Sequence, residues 1–184
     1  MLKNKKVIIL AENQFQDLEL LYPKYRLIEE GAKVVVAGTG EKNYKGKYGY
    51  PVDVDGNIKD YKAKDFGAVV IPGGWAPDFL RRSKDAVDFV KEMNKQNKID
   101  AAICHAGWVL ASAGVVRGKK VTCFSAIKDD MINAGAQYFD KEVVVDGNLI
   151  TSRKPDDLPA FCREIIKALS KRLKRLPVKT EILS

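Results

Sequence analysis

"IDAAICHAGWVLASAG", Ile99 to Gly114, joins two kinds of local structure with no loop between them. Its first six residues read as a buried strand, and "HAGWVLASAG" reads as a helix entered directly from that strand. A strand running straight into a helix is the repeating unit of a parallel α/β sheet, and the alternation continues on both sides. Upstream, "FGAVVIPGG" (Phe66 to Gly74) is a strand, and "SKDAVDFVKEMNKQN" is a helix capped by Ser83 with an apolar face at Ala86, Phe89, Val90 and Met93. Further back, "KVIILA" and "AKVVVAG" are strands flanking a helix from Asp17 to Gly31, which Pro23 is expected to kink or break. Between them and Phe66 the Gly-, Tyr- and Asp-rich "NYKGKYGYPVDVDGNIKDY" suggests a short hairpin or an excursion. Downstream come a strand "KKVTCFS", a short helix ending at Gly135, a hairpin "EVVVDGNLITSR" turning at Asp146-Gly147, and a last helix opened by Pro155.

This order implies a mostly parallel sheet with helices on both faces. Residues 1–172 are expected to form one domain, followed by a basic tail at 173–184. With 184 residues the chain can bury a substantial core without disulfides or metal. No apolar run approaches the roughly 20 residues needed to cross a bilayer, and the start lacks the features of a signal peptide, so a cytoplasmic location without membrane attachment is expected. Three cysteines, Cys104, Cys123 and Cys162, are an odd number without CxxC spacing, which argues against a disulfide framework and a zinc site. A net charge of +8 permits weak attraction to polyanions. Acidic and basic residues alternate through most of the chain, however, so nucleic acid is not an expected partner.

Ligands of such sheets bind beyond the carboxyl ends of the strands, and two segments bring unusual residues there. Pro72-Gly73-Gly74 is either a simple turn or a turn whose unobstructed amides can face an anion. At Cys104 the strand meets the helix with Ala102 and Ala106 two places away on either side, the small flanks that a sharp nucleophile elbow requires. Helix-end amides there would favour thiolate, although a buried structural cysteine also fits an apolar segment. His105 is the one histidine in the chain, so a Cys-His enzyme built on Cys104 must use it as the base. No GxGxxG follows the first strand, which disfavours a nucleotide or flavin binder, and no cofactor is expected.

From "LAENQFQDLELLYPKYRLIEEGAKV" through "VVIPGG" and "AICHAG" to "IKDDMINAGAQYFDKEVVVDGNLITSRKPDDLPAF", the chain resembles the ThiJ/PfpI family of the DJ superfamily. That resemblance implies a flavodoxin-like three-layer sandwich related to class I glutamine amidotransferases. It also implies a nucleophile at Cys104, its histidine at His105, a carboxyl beside the thiol at Glu19, and an acid at Asp78 that orients the histidine across a subunit interface. The family commonly has Gly-Pro where this chain has Ala106-Gly107, and its peptidase members carry glutamate at the position of Asp78. By the same resemblance the activity is that of a PfpI-type cysteine hydrolase, peptidase- or amidase-like, or of a glyoxalase or deglycase, in which Cys104 adds to a carbonyl while the amides of Gly74 and His105 hold the oxyanion. Partners are then a small carbonyl or peptide substrate and further copies of the chain, as a homodimer or larger homo-oligomer. The alternative is a redox-responsive stress protein whose Cys104 oxidises to sulfenic or sulfinic acid.

Overall fold

The structure is a computed structural model that describes residues 2–171. In chain order the elements are β1 (Lys6–Leu10), α1 (Asp17–Glu29), β2 (Lys33–Gly38), β3 (Asn43–Lys45), β4 (Pro51–Asp53), β5 (Gly56–Asn57), β6 (Ala68–Ile71), α2 (Ala76–Leu80) and α3 (Lys84–Lys95). They continue with β7 (Ile99–Ile103), α4 (Gly107–Ser112), β8 (Lys120–Val121), α5 (Lys128–Asn133), β9 (Gln137–Tyr138), β10 (Val143–Asp146), β11 (Leu149–Ser152) and α6 (Leu158–Lys171). Seven strands form one sheet in the order β10-β11-β7-β6-β1-β2-β5, parallel throughout except for the β10-β11 hairpin at one edge.

The pleat explains the three layers. Along β1, Val7 and Ile9 face one side and Ile8 and Leu10 the other, all fully buried, as strands covered on both faces must be. Ile8 and Leu10 join Val69, Ile71 and the apolar faces of α3, α4 and α5. Val7 and Ile9 join Val70, Leu20 and Leu27 of α1, and Phe161 and Ile165 of α6. The face of α3 read from the sequence, Ala86, Phe89, Val90 and Met93, is the buried face, and Ser83 accepts from the Ala86 amide as its N-cap.

Two local expectations are corrected. Helix α1 runs through Pro23 without a break: the proline forgoes one amide bond to the Glu19 carbonyl, but it is buried in the helix and a single missing bond does not outweigh that packing. "KKVTCFS" pairs as a strand only at Lys120–Val121, against β9; on its other edge Thr122 N–H donates to the Thr151 hydroxyl at 2.9 Å. The hairpin from Asn43 to Asp53 forms as expected, with β3 antiparallel to β4. The expected basic tail lies outside the described residues. Among those residues no helix is long and apolar enough to cross a membrane.

Candidate active site at the carboxyl edge of the sheet

Strand β7 ends at Ile103, and the chain turns at Cys104 with φ of +62° before a short 3-10 turn, Cys104–Ala106, leads into α4. A side-chain-bearing residue in this left-handed region costs on the order of 1 kcal/mol, and the surrounding packing holds it there. The strain aims the sulfur out of the strand. Nδ1 of His105 lies 3.1 Å from the sulfur, and the backbone amides of Gly74 and His105 favour its charged form. The spacing of small residues around the elbow is explained as well: Ala106 is fully buried, and a Cβ on Gly107 would meet the Met131 sulfur at 2.7 Å.

The second wall is the loop after β6. Gly74 has φ of +76°, and a Cβ there would lie 2.3 Å from the Gln14 carbonyl oxygen, so only glycine fits. Backbone hydrogen bonds from Gln16 N–H to Gly73 O (3.0 Å) and from Trp75 N–H to Gln14 O (2.9 Å) strap this loop to the segment between β1 and α1. The Gly73 amide donates to Glu19 Oε2 at 2.8 Å. A Cβ on Gly73 would meet that same oxygen and the Cys104 Cβ, each at 2.6 Å, so carboxyl, thiol and loop share one tightly filled space.

Glu19 projects into this space from the first turn of α1, where Gln16 caps the helix through its side-chain oxygen. It is fully buried, and among the described residues its Oε1 has no hydrogen-bond partner. Burial pushes its carboxyl up to about 7, against the lowering pull of the Gly73 amide, the Cys104 thiol and the charge of Lys47. The thiol moves the same way. Burial pushes Cys104 up to about 12 and the negative charge of Glu19 adds to it, while the amides of Gly74 and His105 pull down. The expected lowering by helix-end amides is therefore present but outweighed, because a buried thiol beside a carboxylate is costly to ionise. His105 is held below its ordinary value by burial and by Lys47. At neutral pH the resting pair is thus a thiol and a neutral imidazole, with the S–H able to donate to Nδ1, rather than a preformed ion pair.

Aromatic rings enclose the imidazole. Phe124 stacks on it at 4.9 Å between centroids, Trp108 meets it edge-on at 5.2 Å, and Trp75, about half exposed, lies 6.0 Å away. The remaining sequence candidate, Asp78, sits on α2 and pairs with Arg82 one turn later; its own chain does not bring it to His105. Among the described residues no carboxylate hydrogen-bonds the His105 ring. Glu12 is a structural acid, bound to the Thr39 hydroxyl and the Asn13 amide. Cys123 and Cys162 are buried in the core, and burial pushes both thiols up to about 12. No group of three metal-ligating side chains occurs among the described residues.

Two contributors escape a reading of the sequence. Asp17 accepts from the amides of Tyr48 (3.0 Å) and Tyr50 (3.2 Å), pinning the turn of the β3-β4 hairpin beside the site. Lys47 rides on that turn, its amide donating to Phe15 O at 2.7 Å. No periodicity marks either residue, since their roles depend on a turn folding back over α1.

Comparison with known proteins agrees with this geometry. A family model described as the DJ-1/PfpI family matches residues 5–168. A Pyrococcus abyssi protein named a deglycase is 48% identical over 164 residues, covering 89% of this chain and 99% of the relative. Deglycase PfpI of Pyrococcus furiosus is 45% identical with the same coverage. Among solved structures, an Anabaena variabilis protein with DJ-1/ThiJ/PfpI-like and ferritin-like domains superposes with a TM-score of 0.86 at 44% identity, over 98% of this chain and 52% of that one. With the flavodoxin-like sheet, the strained cysteine elbow and a match along nearly its whole length, the chain belongs to the DJ-1/PfpI family.

Proposed function

We propose that the protein is a cysteine-dependent hydrolase of small carbonyl adducts, deglycase-like in its reaction, with Cys104 as nucleophile and His105 as base. The single observation that carries this reading is the Cys104 elbow: a strained, positive-φ cysteine with an imidazole nitrogen 3.1 Å from its sulfur. Relatives at 45 to 48% identity that are named deglycases support the reaction class.

Because the resting thiol is protonated, attack is coupled to proton transfer. The S–H proton passes to Nδ1 of His105 as the sulfur forms a bond to the carbonyl carbon, and the C=O π pair moves onto oxygen. The amides of Gly74 and His105, already directed at this space, receive the oxyanion. With an acylated amine, whose nitrogen is on the attacked carbon, the oxyanion pair re-forms the C=O as the C–N bond breaks, the imidazolium gives its proton to the departing amine, and water hydrolyses the thioester left behind. A carbinolamine adduct of a 2-oxoaldehyde instead first loses its amine, the carbinol O–H proton going to nitrogen as C=O forms. The sulfur adds to the aldehyde carbon so exposed, and the imidazolium proton goes to its oxygen. A 1,2-proton shift then converts the hemithioacetal to a thioester that water hydrolyses to a 2-hydroxy acid, restoring the thiol. Glu19 does not add charge to this path when protonated, and as a neutral carboxyl it can donate to the developing thiolate.

The third group that would orient His105 is Asp78 of the partner subunit in a homo-oligomer. Two features support this: no carboxylate in the chain reaches the ring among the described residues, and Asp78 lies partly exposed between the exposed side chains of Trp75 and Phe79. Sedimentation equilibrium and turnover of Asp78→Asn test it together. An oligomer with slowed turnover supports the contact, and a fully active monomer overturns it.

The chemistry is tested by release of free amine from a 2-oxoaldehyde-modified lysine derivative. His105→Ala is expected to lose about 10²- to 10⁴-fold in turnover. Full turnover in His105→Ala alongside an inactive Cys104→Ala would remove His105 from the mechanism. One observation favours a second, redox reading: among the described residues Oε1 of Glu19 is buried without a hydrogen-bond partner, while the carboxyl and the thiol share the space at Gly73, so the carboxyl has a free atom with which to bond an oxidised sulfur. Under that reading, peroxide converts Cys104 to a sulfinic acid whose yield falls in Glu19→Ala.

A further inference from the structure

We infer that Lys47 is the anion-recognition group of this site and that the preferred substrate carries a carboxylate, or an equivalent anionic group, near its reacting carbonyl. The inference rests on the hydrolase reading above and adds a substrate class to it.

Three observations lead there. The turn bearing Lys47 is fixed at the site by Asp17 through the Tyr48 and Tyr50 amides and by the Lys47 amide to Phe15 O. A Cβ on Gly46 would fall 2.4 Å from the Asp17 carboxylate, so the turn sits tightly on that clamp. Phe15, which bridges to Gly46 on one side, bridges on the other to Gly74, the residue whose amide faces the sulfur. The backbone carrying Lys47 is therefore coupled rigidly to the anion-holding amide.

The second observation is the absence of competition for this charge. Two arginines of the α2 segment are occupied: Arg82 by Asp78, and Arg81 by the Ser112 hydroxyl at 3.1 Å and the Trp108 ring. Among the described residues no carboxylate lies within ion-pair reach of the Lys47 ammonium, which rests 5.6 Å from the Tyr48 ring centroid. Third, its charge acts on both sides of the nucleophile, on the Glu19 carboxyl and on the His105 ring. An exposed cation without an ion-pair partner among the described residues, on a turn clamped to the Gly74 loop and close enough to act on Glu19 and His105, suits together with the rings of Trp75, Trp108 and Phe124 around His105 a ligand with an anionic end and an apolar flank.

The field at Cys104 can be read without any substrate, by comparing alkylation with iodoacetate and iodoacetamide. The ratio of the two rates at one pH cancels the thiolate fraction and leaves the electrostatic preference. Rates are taken from the Cys104 peptide by mass spectrometry on the full chain. Lys47→Gln is expected to lower the iodoacetate-to-iodoacetamide ratio about fivefold, the order of effect of one nearby charge in partly screened surroundings. Lys47→Arg should keep the ratio, and Lys95→Gln, a loss of the same charge at the far end of α3, should leave it unchanged. If Cys104 reacts normally and Lys47→Gln does not move the ratio, the anion assignment is overturned while the hydrolase reading stands. If neither reagent modifies Cys104 in any form of the protein, the nucleophile reading falls and the inference with it. In turnover, Lys47→Gln should raise KM for a carbonyl-modified amine that carries a carboxylate beside its carbonyl and leave KM for the same adduct with that carboxylate as a primary amide unchanged; an equal rise for both contradicts the inference.

Discussion

Replacing Glu19 with glutamine removes one ionisable group from the core while keeping its volume and an acceptor for the Gly73 amide. Its carboxyl titrates near 4.5 in an unfolded chain and is raised to about 7 by burial in the folded one. Below 4.5 both states hold the proton, and Glu19 contributes no pH dependence. Between 4.5 and 7 the folded state binds more protons than the unfolded state, so stability falls as pH rises, and above 7 the whole difference has been lost. A separation of about 2.5 units corresponds to about 3 kcal/mol at 1.36 kcal/mol per unit. Urea denaturation of wild type and Glu19→Gln at equal protein concentration, from pH 4 to 9, isolates this term because every other titrating group is common to both. The variant should gain up to about 3 kcal/mol relative to wild type on going from pH 4 to pH 8. Parallel stability curves across that range would refute the argument, since they would mean that Glu19 titrates as an ordinary surface acid.

Gly73→Ala should disrupt the site directly: its Cβ would fall 2.6 Å from both the Cys104 Cβ and Glu19 Oε2. A stability loss of about 1 to 3 kcal/mol with turnover abolished is expected, measured by urea titration and amine release. Asp17→Asn weakens the charge-assisted bonds to the Tyr48 and Tyr50 amides. A loss of about 1 to 3 kcal/mol is expected, with faster hydrogen exchange confined first to the β3-β4 hairpin. His105 must be unprotonated to accept the thiol proton, and its ordinary value of 6.5 is lowered by burial and Lys47. The acid limb of kcat/KM should therefore fall below pH 6.5 and shift upward in Lys47→Gln; an unchanged limb would show that Lys47 does not act on His105.

The layers of the fold were legible because each strand covered on both faces is a continuous apolar run and each helix shows a one-sided stripe, as α3 does at Ala86, Phe89, Val90 and Met93. The interruptions read less well. Pro23 signals a break by its missing amide, yet burial of the surrounding helix carries α1 through it. "KKVTCFS" has strand composition, but beyond Val121 the chain leaves β9 and turns toward the elbow, where Phe124 N–H donates to Cys104 O. In the site, Cys104, His105, Gly74 and Glu19 were legible from the elbow, the glycine turn and the family resemblance, and the structure brings all four together. Asp78 reads as a site acid only through the resemblance, and within its own chain it serves Arg82. The energetic balance at the thiol could not be read from residue order. Whether helix-end amides or burial prevails depends on how completely Glu19 and Cys104 are enclosed by Gly73, which is a matter of tertiary packing.

The central claim is that Cys104 forms the covalent bond to substrate. Its most direct measurement is amine release from a 2-oxoaldehyde-modified lysine derivative by wild type and Cys104→Ala, with each protein shown to be folded by urea titration. Turnover by wild type that falls to the uncatalysed rate in Cys104→Ala is the expected result. A folded Cys104→Ala protein that turns over at the wild-type rate would contradict it.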